Sequence, residues 1–322
     1  MAKVDIVVPC YNYGRFLEPC VRSVLEQSVA DLRVLIIDDA SSDDSLSVAK
    51  RLAQADRRVS VISHSENWGH IRTYNQGIEW AASDYFLLLS ADDLLAPGAL
   101  GRATQLMDEN PDIVLTHGKF IEWRDDLPFP ELNDQRSFEW RRQDLIREMC
   151  AAACCLVNTA TAIARTSVQK RVGGYRESLP HAGDLEMWLR FAAHGIIARI
   201  DNPTQAICRR HSSNMSNRYF AEKLPDFEQC RKAFDFFFAE YGDLVPESTR
   251  LQAETNRALT EHSYISGVAQ LCHGRARSGL RLLRYSMQLN ARLRYLPPVA
   301  MAMEIIVSRI AISLGLRKNE AP

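Results

Sequence analysis

Short apolar runs alternate with amphipathic stretches through the first 117 residues. Each run has the length and composition of a buried strand: residues 4–8, 34–37, 59–62, 85–89 and 113–116. The stretches between the runs place apolar residues three or four positions apart, which is the spacing of one helix face. Because strand and helix patterns alternate, the sequence predicts an α/β fold with a mostly parallel sheet flanked by helices.

Two adjacent carboxylates, Asp92 and Asp93, follow the run at residues 85–89. In open α/β sheets, ligands bind outside the carboxyl ends of the strands. Neighbouring carboxylates repel unless a cation neutralises them, and Mg²⁺ is typically held by one or two carboxylates together with substrate phosphates. The pair therefore indicates a metal and diphosphate site. The alternative is a polar turn before the helix that Pro97 opens.

The pattern weakens after residue 117. Residues 118–150 are rich in Asp, Pro, Arg and Trp and are expected to form a loop over the cleft. Further strands are expected at residues 161–165, 196–200 and 206–209, with a helix at 184–194 that Gly195 ends. Helices are expected at residues 227–241, 250–272 and 275–289. We therefore divide the chain into a domain of residues 1–215 and an α-helical C-terminal extension of residues 216–322.

The composition is that of an ordinary globular protein, with 46% hydrophobic and 25% charged residues and a net charge of -1. This balance argues against a dedicated nucleic-acid binder. Residues 250–322, however, contain eleven Arg or Lys against four Glu, a charge of +7. A basic tail indicates a membrane surface, an acidic partner or a solvated helical face. The apolar stretch at residues 296–316 includes Glu304 and Arg309, so it is expected to lie on a membrane rather than to cross it.

The eight cysteines are scattered, with no Cys-x-x-Cys pair and no secretory signal ahead of them. Cys150, Cys154 and Cys155 lie in one apolar segment, which favours buried free thiols over a zinc site. We expect a reduced, cytoplasmic protein.

Polar residues follow other predicted strands as well: Pro9, Tyr11 and Asn12 follow the first, and Asp39 follows the second. The phosphate-binding motifs G-x-x-x-x-G-K-[ST] and G-x-G-x-x-G do not follow any strand. Their absence argues against a P-loop nucleotidase and a dinucleotide dehydrogenase.

Six short motifs occur in order between residues 4 and 215. They are Val7-Val8-Pro9-Cys10-Tyr11-Asn12, Ile36-Ile37-Asp38-Asp39-Ala40-Ser41-Ser42-Asp43, Asn67-Trp68-Gly69 with Asn75, Ser90-Ala91-Asp92-Asp93, Gly173-Gly174-Tyr175, and Gly183-Asp184-Leu185-Glu186-Met187-Trp188-Leu189-Arg190. On these motifs the chain resembles the family 2 glycosyltransferases, inverting enzymes of the GT-A fold that use nucleotide-diphosphate sugars. The resemblance implies a nucleotide-sugar half at residues 1–117 and an acceptor half at residues 118–215.

The resemblance implies donor-binding roles for residues of the first, second and fourth motifs. Tyr11, beside Pro9 and Asn12, would stack on the nucleobase. Asp39 would accept a hydrogen bond from the imide N–H of uracil or thymine. Asp92 would contact the ribose or the water shell of the metal, and Asp93 would ligate the Mg²⁺ or Mn²⁺ that bridges the phosphates.

The resemblance also implies roles near the acceptor. Asp184 matches the general base, although it is equally a candidate N-cap of its helix. His211 matches a histidine that completes the metal or diphosphate site, and Arg210 would add positive charge; the alternative for His211 is a surface position. Tyr74 stands where relatives often have Arg, and Arg72 is the candidate to supply that charge instead.

The sequence as a whole predicts a metal-dependent inverting hexosyltransferase with a UDP-linked donor, acting in cell-surface polysaccharide or glycolipid synthesis. Its acceptor would be a saccharide or a lipid-linked saccharide, and the basic C-terminal helices would place it peripherally at the inner face of the membrane. Two alternatives stay open. One is a non-catalytic relative that binds nucleotide sugars. The other is a sugar nucleotidyltransferase, which would need a Gly-rich loop with Arg and Lys after the first strand.

Overall fold

The computed structural model describes residues 4–29, 31–132, 136–215 and 223–290. The first half confirms the predicted alternation of strands and helices. Its elements are β1 Val4–Cys10, α1 Gly14–Leu25, β2 Leu32–Asp38, α2 Ser45–Ala55, β3 Val59–Ser63, α3 His70–Trp80, β4 Tyr85–Leu88, β5 Leu94–Leu95, α4 Ala99–Glu109 and β6 Ile113–Gly118.

The second half contains more regular structure than its sequence indicates. Its elements are β7 Phe120–Arg124, β8 Glu139–Gln143, α5 Leu145–Ala152, a 3₁₀ turn Thr159–Thr161, β9 Ile163–Arg165, α6 Thr166–Val172, α7 Gly183–Ala192, β10 Ile196–Asn202 and β11 Ala206–Arg210. The expectation of a loop over residues 118–150 is therefore wrong in part. Four of the five residues of β8 are exposed, so this strand has no apolar run to identify it.

The main sheet has eight strands in the order β3-β2-β1-β4-β9-β6-β10-β8. β1 pairs in parallel with β2 and β4, and β2 pairs in parallel with β3, so these strands end at one edge of the sheet. β9 runs antiparallel between β4 and β6, and β8 runs antiparallel to β10. A second sheet, β5-β11-β7, brings the end of β11 to the residues that follow β4.

The main sheet is buried on both faces. In β1, Val7 packs into one apolar core, whereas Ile6 and Val8 pack into the other, because successive side chains of a strand point to opposite faces. All residues of β4 are buried as well. Burial on both faces explains why these strands read as continuous apolar runs.

The described part of the C-terminal extension forms three helices, as predicted: α8 Lys223–Tyr241, α9 Ser248–Cys272 and α10 Ala276–Leu289. Phe237 of α8 and Leu259 of α9 belong to the same apolar core as Trp188 of α7. These helices therefore pack on the α/β domain. The division of the chain at residue 215 remains a prediction.

None of the helices in the described ranges is long and apolar enough to span a membrane. The apolar stretch at residues 296–316, which was expected to lie on a membrane, is outside the described residues.

Candidate active site

A cleft of about 700 Å³ opens at the edge of the sheet where β1, β2 and β4 end. The residues that line it come from the segments after β1, β2, β3 and β4, from α3, from the residue before the 3₁₀ turn, and from β11 and the turn that follows it. They are Pro9, Cys10, Tyr11, Asn12, Tyr13, Asp39, Asn67, Gly69, His70, Thr73, Tyr74, Ser90, Asp92, Asp93, Asn158, Cys208, Arg209, Arg210, Ser213, Asn214 and Met215. The predicted donor-site residues Pro9, Tyr11, Asn12, Asp39, Asp92, Asp93 and Arg210 are all among them.

The loops after β1 and β2 are tied together by side-chain hydrogen bonds. Ser42 N donates to Asn12 Oδ1 at 2.8 Å, and Asn12 N donates to Ser41 Oγ at 2.9 Å. Asn12 has a φ of 57°, a left-handed conformation that Asn tolerates better than most residues. This tie supports the neighbouring Tyr11, whose side chain is 49% exposed in the cleft and available for stacking.

The loop after β2 is also tied to the starts of two helices. α2 begins at Ser45, two residues after Asp43. Asp43 Oδ1 accepts from Ser45 N at 2.9 Å, and Asp43 Oδ2 accepts from Gly14 N at 3.1 Å. Asp43 therefore joins the starts of α1 and α2 beneath the cleft.

Asp39 is buried and organises the segment before α3. Its Oδ1 accepts from Trp68 N at 2.8 Å and from His64 Nδ1 at 2.7 Å, and its Oδ2 accepts from Gly69 N at 3.0 Å. The His64 ring stacks on Trp68 with 3.9 Å between the ring centroids. The carboxylate thus faces the cleft from a position fixed by its neighbours.

The two carboxylates after β4, Asp92 and Asp93, have different hydrogen-bond partners. Asp92 is 4% exposed; its Oδ1 accepts from Ser90 Oγ at 2.5 Å, and its Oδ2 accepts from Asn214 Nδ2 at 2.9 Å. Asp93 accepts from Arg209 N at 3.0 Å. Burial, and next the charge of Asp92, raise the pKa of Asp93 well above the usual aspartate range. A cation beside these carboxylates would remove that penalty.

The arginines of β11 are paired on the outer side of the cleft. Arg210 donates through Nε to Glu122 Oε1 at 3.1 Å, and this bond raises the pKa of Arg210. The Arg209 guanidinium pairs with Asp125 and lies over the Trp123 ring, 4.4 Å from its centroid. Arg210 lines the cleft, and its positive charge is already balanced by the carboxylate of Glu122.

Three predicted residues do not line the cleft. Arg72 is exposed and its Nε lies 3.1 Å from Glu177 Oε1, so its guanidinium already has a carboxylate partner. His211 lies behind Asp92, and its ring is 4.7 Å from that of Phe16. Asp184 lies beside the cleft, in the first turn of α7. The N-cap of α7 is Ala182, so the alternative role of Asp184 as the helix cap is wrong.

Sequence reasoning missed several residues of this site. Asn158 and Asn214 line the cleft, and His64 contacts Asp39, which lines it. Asn214 also contacts Asp92, and Thr159 donates to Asp184 Oδ2 at 2.9 Å. None of the four belongs to the six motifs, although His64 directly follows β3. Its position after a predicted strand is the one signal that could have identified it.

The donor set at Asp92 and Asp93 suits a hard divalent cation. Among the described ranges, no three His, Cys, Asp or Glu side chains converge to hold a metal ion by themselves. Mg²⁺ usually takes one or two carboxylates and completes its shell with waters and substrate phosphates, so a full protein cage is not required. Asp93, a half-buried carboxylate at the cleft beside the buried Asp92, therefore fits a metal held jointly with a diphosphate.

Solved structures identify the fold as GT-A type. In TarS from S. aureus, solved with UDP-GlcNAc, the aligned part covers 89% of this chain and 81% of that chain, with 15% identity and a TM-score of 0.67. The mannosyltransferase PcManGT from Pyrobaculum calidifontis was solved with GDP-Man and Mn²⁺. Its alignment covers 96% of this chain and 80% of that one, with 15% identity and a TM-score of 0.59. This chain therefore has the GT-A fold, with its cleft at the carboxyl ends of the parallel strands.

The family follows from the sequence. The model of glycosyl transferase family 2 matches residues 5–166, half of the chain, and the protein belongs to this family. An uncharacterized glycosyltransferase of Haemophilus influenzae is 24% identical over 227 residues, which are 68% of this chain and 69% of that protein. The GalNAc(5)-diNAcBac-PP-undecaprenol beta-1,3-glucosyltransferase of Campylobacter jejuni is 32% identical over 110 residues, 34% of this chain and 36% of that protein. The chain is therefore a glycosyltransferase.

Proposed function

We propose that this protein transfers a hexosyl group from a UDP-linked donor to an acceptor hydroxyl with inversion at the anomeric carbon. One observation carries the proposal. Three neighbouring parallel strands end at one cleft and bring to it an aromatic side chain, a buried carboxylate and an acidic pair, and a further carboxylate lies beside the cleft. These are Tyr11, Asp39, the pair Asp92 and Asp93, and Asp184. Tyr11 and Asp39 would contact the base, the acidic pair the diphosphate, and Asp184 the acceptor hydroxyl.

The hydrogen bonds of Asp39 favour a uracil or thymine base. A carboxylate has about four acceptor positions, and His64, Trp68 and Gly69 occupy three of them. The remaining position on Oδ2 suits a single imide N–H. Guanine presents two adjacent donors, N1–H and N2–H, and would leave one of them unpaired. An unpaired buried donor costs about 1–3 kcal/mol, enough to discriminate between the bases.

The acidic pair would hold the donor diphosphate. Asp93, and Asp92 behind it, would ligate Mg²⁺ or Mn²⁺ directly or through its waters, and Arg210 would face the phosphates. The bound metal would offset the charge that develops on the departing UDP. PcManGT supports a divalent metal here, since it was solved with Mn²⁺ and a nucleotide sugar.

Asp184 would act as the general base. The acceptor oxygen attacks the anomeric carbon as the bond to the UDP oxygen breaks, and the acceptor proton passes to the carboxylate. Burial raises the pKa of Asp184, which strengthens it as a base. UDP leaves with the electrons of the broken bond.

The acceptor that we propose is a lipid-linked saccharide presented at a membrane. The name of the Campylobacter jejuni relative includes a diphosphate-linked undecaprenol. On α10, Arg277, Arg281 and Arg284 share an exposed face with Leu280, which is 60% exposed. Arg277 and Arg281 also line a groove of about 540 Å³ between the starts of α8 and α10. A basic face with apolar side chains fits an anionic leaflet.

Vesicle co-sedimentation tests the membrane contact. The variant Arg277→Ala/Arg281→Ala/Arg284→Ala should bind anionic vesicles on the order of 100-fold more weakly, because each arginine contributes about 1 kcal/mol near such a surface. The control Arg22→Ala/Arg51→Ala/Arg57→Ala removes the same charge from α1, α2 and the turn before β3, and it should bind anionic vesicles as the unmodified protein does. Equal binding to neutral and anionic vesicles, or equal loss in both variants, would refute this contact.

A thermal-shift panel of UDP-, GDP- and dTDP-sugars, each with and without Mn²⁺, tests the donor. We expect the largest stabilisation from a UDP-sugar with Mn²⁺, because a ligand that binds only the folded state raises its stability. Stabilisation without any release of UDP would favour the non-catalytic relative. Release of pyrophosphate from a sugar phosphate and UTP would favour the nucleotidyltransferase.

A further inference from the structure

Asp184 is held by a residue from a distant part of the chain. Thr159 Oγ1 donates to Asp184 Oδ2 at 2.9 Å, although the two residues lie on different elements, the 3₁₀ turn Thr159–Thr161 and α7. A hydroxyl that donates to a carboxylate favours its ionised form and fixes the plane of the carboxylate. Both effects matter for a group that must accept a proton from a particular direction.

The turn that carries Thr159 is anchored to the sheet. Asn158 caps it, since its Oδ1 accepts from Ala160 N at 3.0 Å. Thr161 Oγ1 donates to Asn158 O at 2.8 Å and accepts from Gly118 N, at the end of β6, at 3.2 Å. The hydroxyl of Thr159 therefore projects from a rigid support rather than from a mobile loop.

The helix that carries Asp184 is anchored equally firmly. Glu186 and Arg190 are buried one turn apart on α7, with 2.9 Å between Glu186 Oε2 and a guanidinium nitrogen of Arg190. Arg190 also donates to the carbonyls of Val172 and Gly174, at the end of α6. With both elements fixed, the hydrogen bonds from the hydroxyls of Thr159 and Tyr175 hold the Asp184 carboxylate between them.

The same turn reaches the cleft one residue earlier. Asn158 lines the cleft, and its Oδ1 also accepts from Cys208 Sγ, at 3.3 Å, on the strand that leads to Arg209 and Arg210. The segment of Asn158 and Thr159 thus connects the wall of the donor cleft to Asp184.

We infer that Thr159 is the positioning residue of the base: its hydroxyl orients Asp184 and keeps it ionised. This inference rests on the proposed function, in which Asp184 takes the acceptor proton. Burial raises the pKa of Asp184, and the hydroxyls of Thr159 and Tyr175 oppose this effect, together with the charges of His70 and His181. Thr159→Val removes one of these two hydrogen bonds and leaves that of Tyr175 in place.

The test compares Thr159→Val, which keeps the shape but removes the hydroxyl, with Thr159→Ser, which keeps the hydroxyl. Hydrolysis of UDP-glucose or UDP-GlcNAc, whichever stabilises the protein more, is followed as UDP release across the pH range. We expect Thr159→Val to move the acid limb of the profile to higher pH and to lower kcat roughly tenfold at its acid end, with the donor KM unchanged. Thr159→Ser should restore the limb.

Thr104→Val is the matched control. Thr104 is buried on α4, and its hydroxyl donates to Leu100 O at 2.9 Å, away from the cleft. It should lose a similar amount of stability and keep the pH profile of the unmodified protein. A shift of the same size in this control would overturn the inference.

Carbon-13 NMR of carboxyl-labelled aspartate provides a readout that does not depend on activity. The Asp184 resonance, assigned with Asp184→Asn, should titrate at higher pH in Thr159→Val than in the unmodified protein. An unchanged titration overturns the inference even if the protein is a glycosyltransferase. If the titration moves but no nucleotide sugar is hydrolysed by any variant, the hydrogen bond is confirmed and the proposed function fails instead.

Discussion

Nε2 of His211 lies 3.0 Å from Oδ2 of Asp92, across 119 residues of sequence. The carboxylate can only accept, so His211 donates to it and orients the acidic pair from behind. The sequence predicted that His211 would ligate the metal. The contact with Asp92 offers a different role, in which His211 orients a carboxylate of the same site. Ligation and orientation predict different effects of substituting His211.

His211→Ala should weaken Mn²⁺-dependent binding of UDP about 10–100-fold, the usual effect of losing a partner that orients a metal ligand. His211→Gln retains a donor that can reach Asp92 and should recover most of the affinity if orientation is the role of His211. Isothermal titration of UDP with Mn²⁺ measures both variants. Equal loss in Ala and Gln would indicate direct ligation.

Asp93→Ala should abolish the metal-dependent part of UDP binding and leave the fold intact. Burial of this carboxylate opposes its ionisation, so its removal costs coordination rather than stability. Isothermal titration with UDP, with and without Mn²⁺, measures the effect. Asp112→Ala, an exposed aspartate outside the cleft, is the control. Unchanged affinity in Asp93→Ala would remove Asp93 from the metal site.

Tyr11→Ala should weaken binding of UDP by roughly tenfold or more, because stacking of a base on an aromatic ring is worth about 1–3 kcal/mol. The ring is half exposed, so the melting temperature should hardly change. Tyr11→Phe retains the ring and should bind UDP as the unmodified protein does. If the Ala variant also binds normally, the base does not stack on Tyr11.

The stability of the fold should depend on His117 at mildly acid pH. Burial lowers the pKa of His117 to about 4, and the charges of Arg199 and Arg141 act in the same direction. The unfolded chain binds a proton near pH 6.5, so stability is lost as the pH falls from about 6.5 towards 4. His117→Gln should show a shallower loss of melting temperature over this window. If the melting temperatures of His117→Gln and the unmodified protein fall in parallel with pH, His117 does not gain a proton on unfolding.

The elements that could be predicted from the sequence are those whose buried residues form a recognisable local pattern of apolar residues. β1, β2 and β4 are covered on both faces, so their apolar runs were recognisable, and the polar residues at their ends fell into the cleft as expected. β8 could not be predicted, because an exposed edge strand depends on backbone pairing with β10 rather than on apolar side chains.

The contacts that complete the site are long-range in sequence. Thr159 and Asp184 lie 25 residues apart, Asp93 and Arg209 116 residues apart. Arg72 shows the converse: the resemblance made it a candidate for the donor site, but it pairs with Glu177, 105 residues away. Pairs of this kind depend on how the strands and helices pack, which a single sequence does not display.

The most direct test of the central claim is time-resolved proton NMR of UDP-glucose or UDP-GlcNAc hydrolysed by this protein in the presence of Mn²⁺. Both donors carry an α-linked sugar, so an inverting enzyme releases the β-anomer first, before it equilibrates in water. We predict early accumulation of the β-anomer, and a rate at least about 100-fold lower in Asp184→Asn, which is nearly isosteric but cannot accept the proton. Early release of the α-anomer, or an equal rate in Asp184→Asn, would contradict inversion through this base.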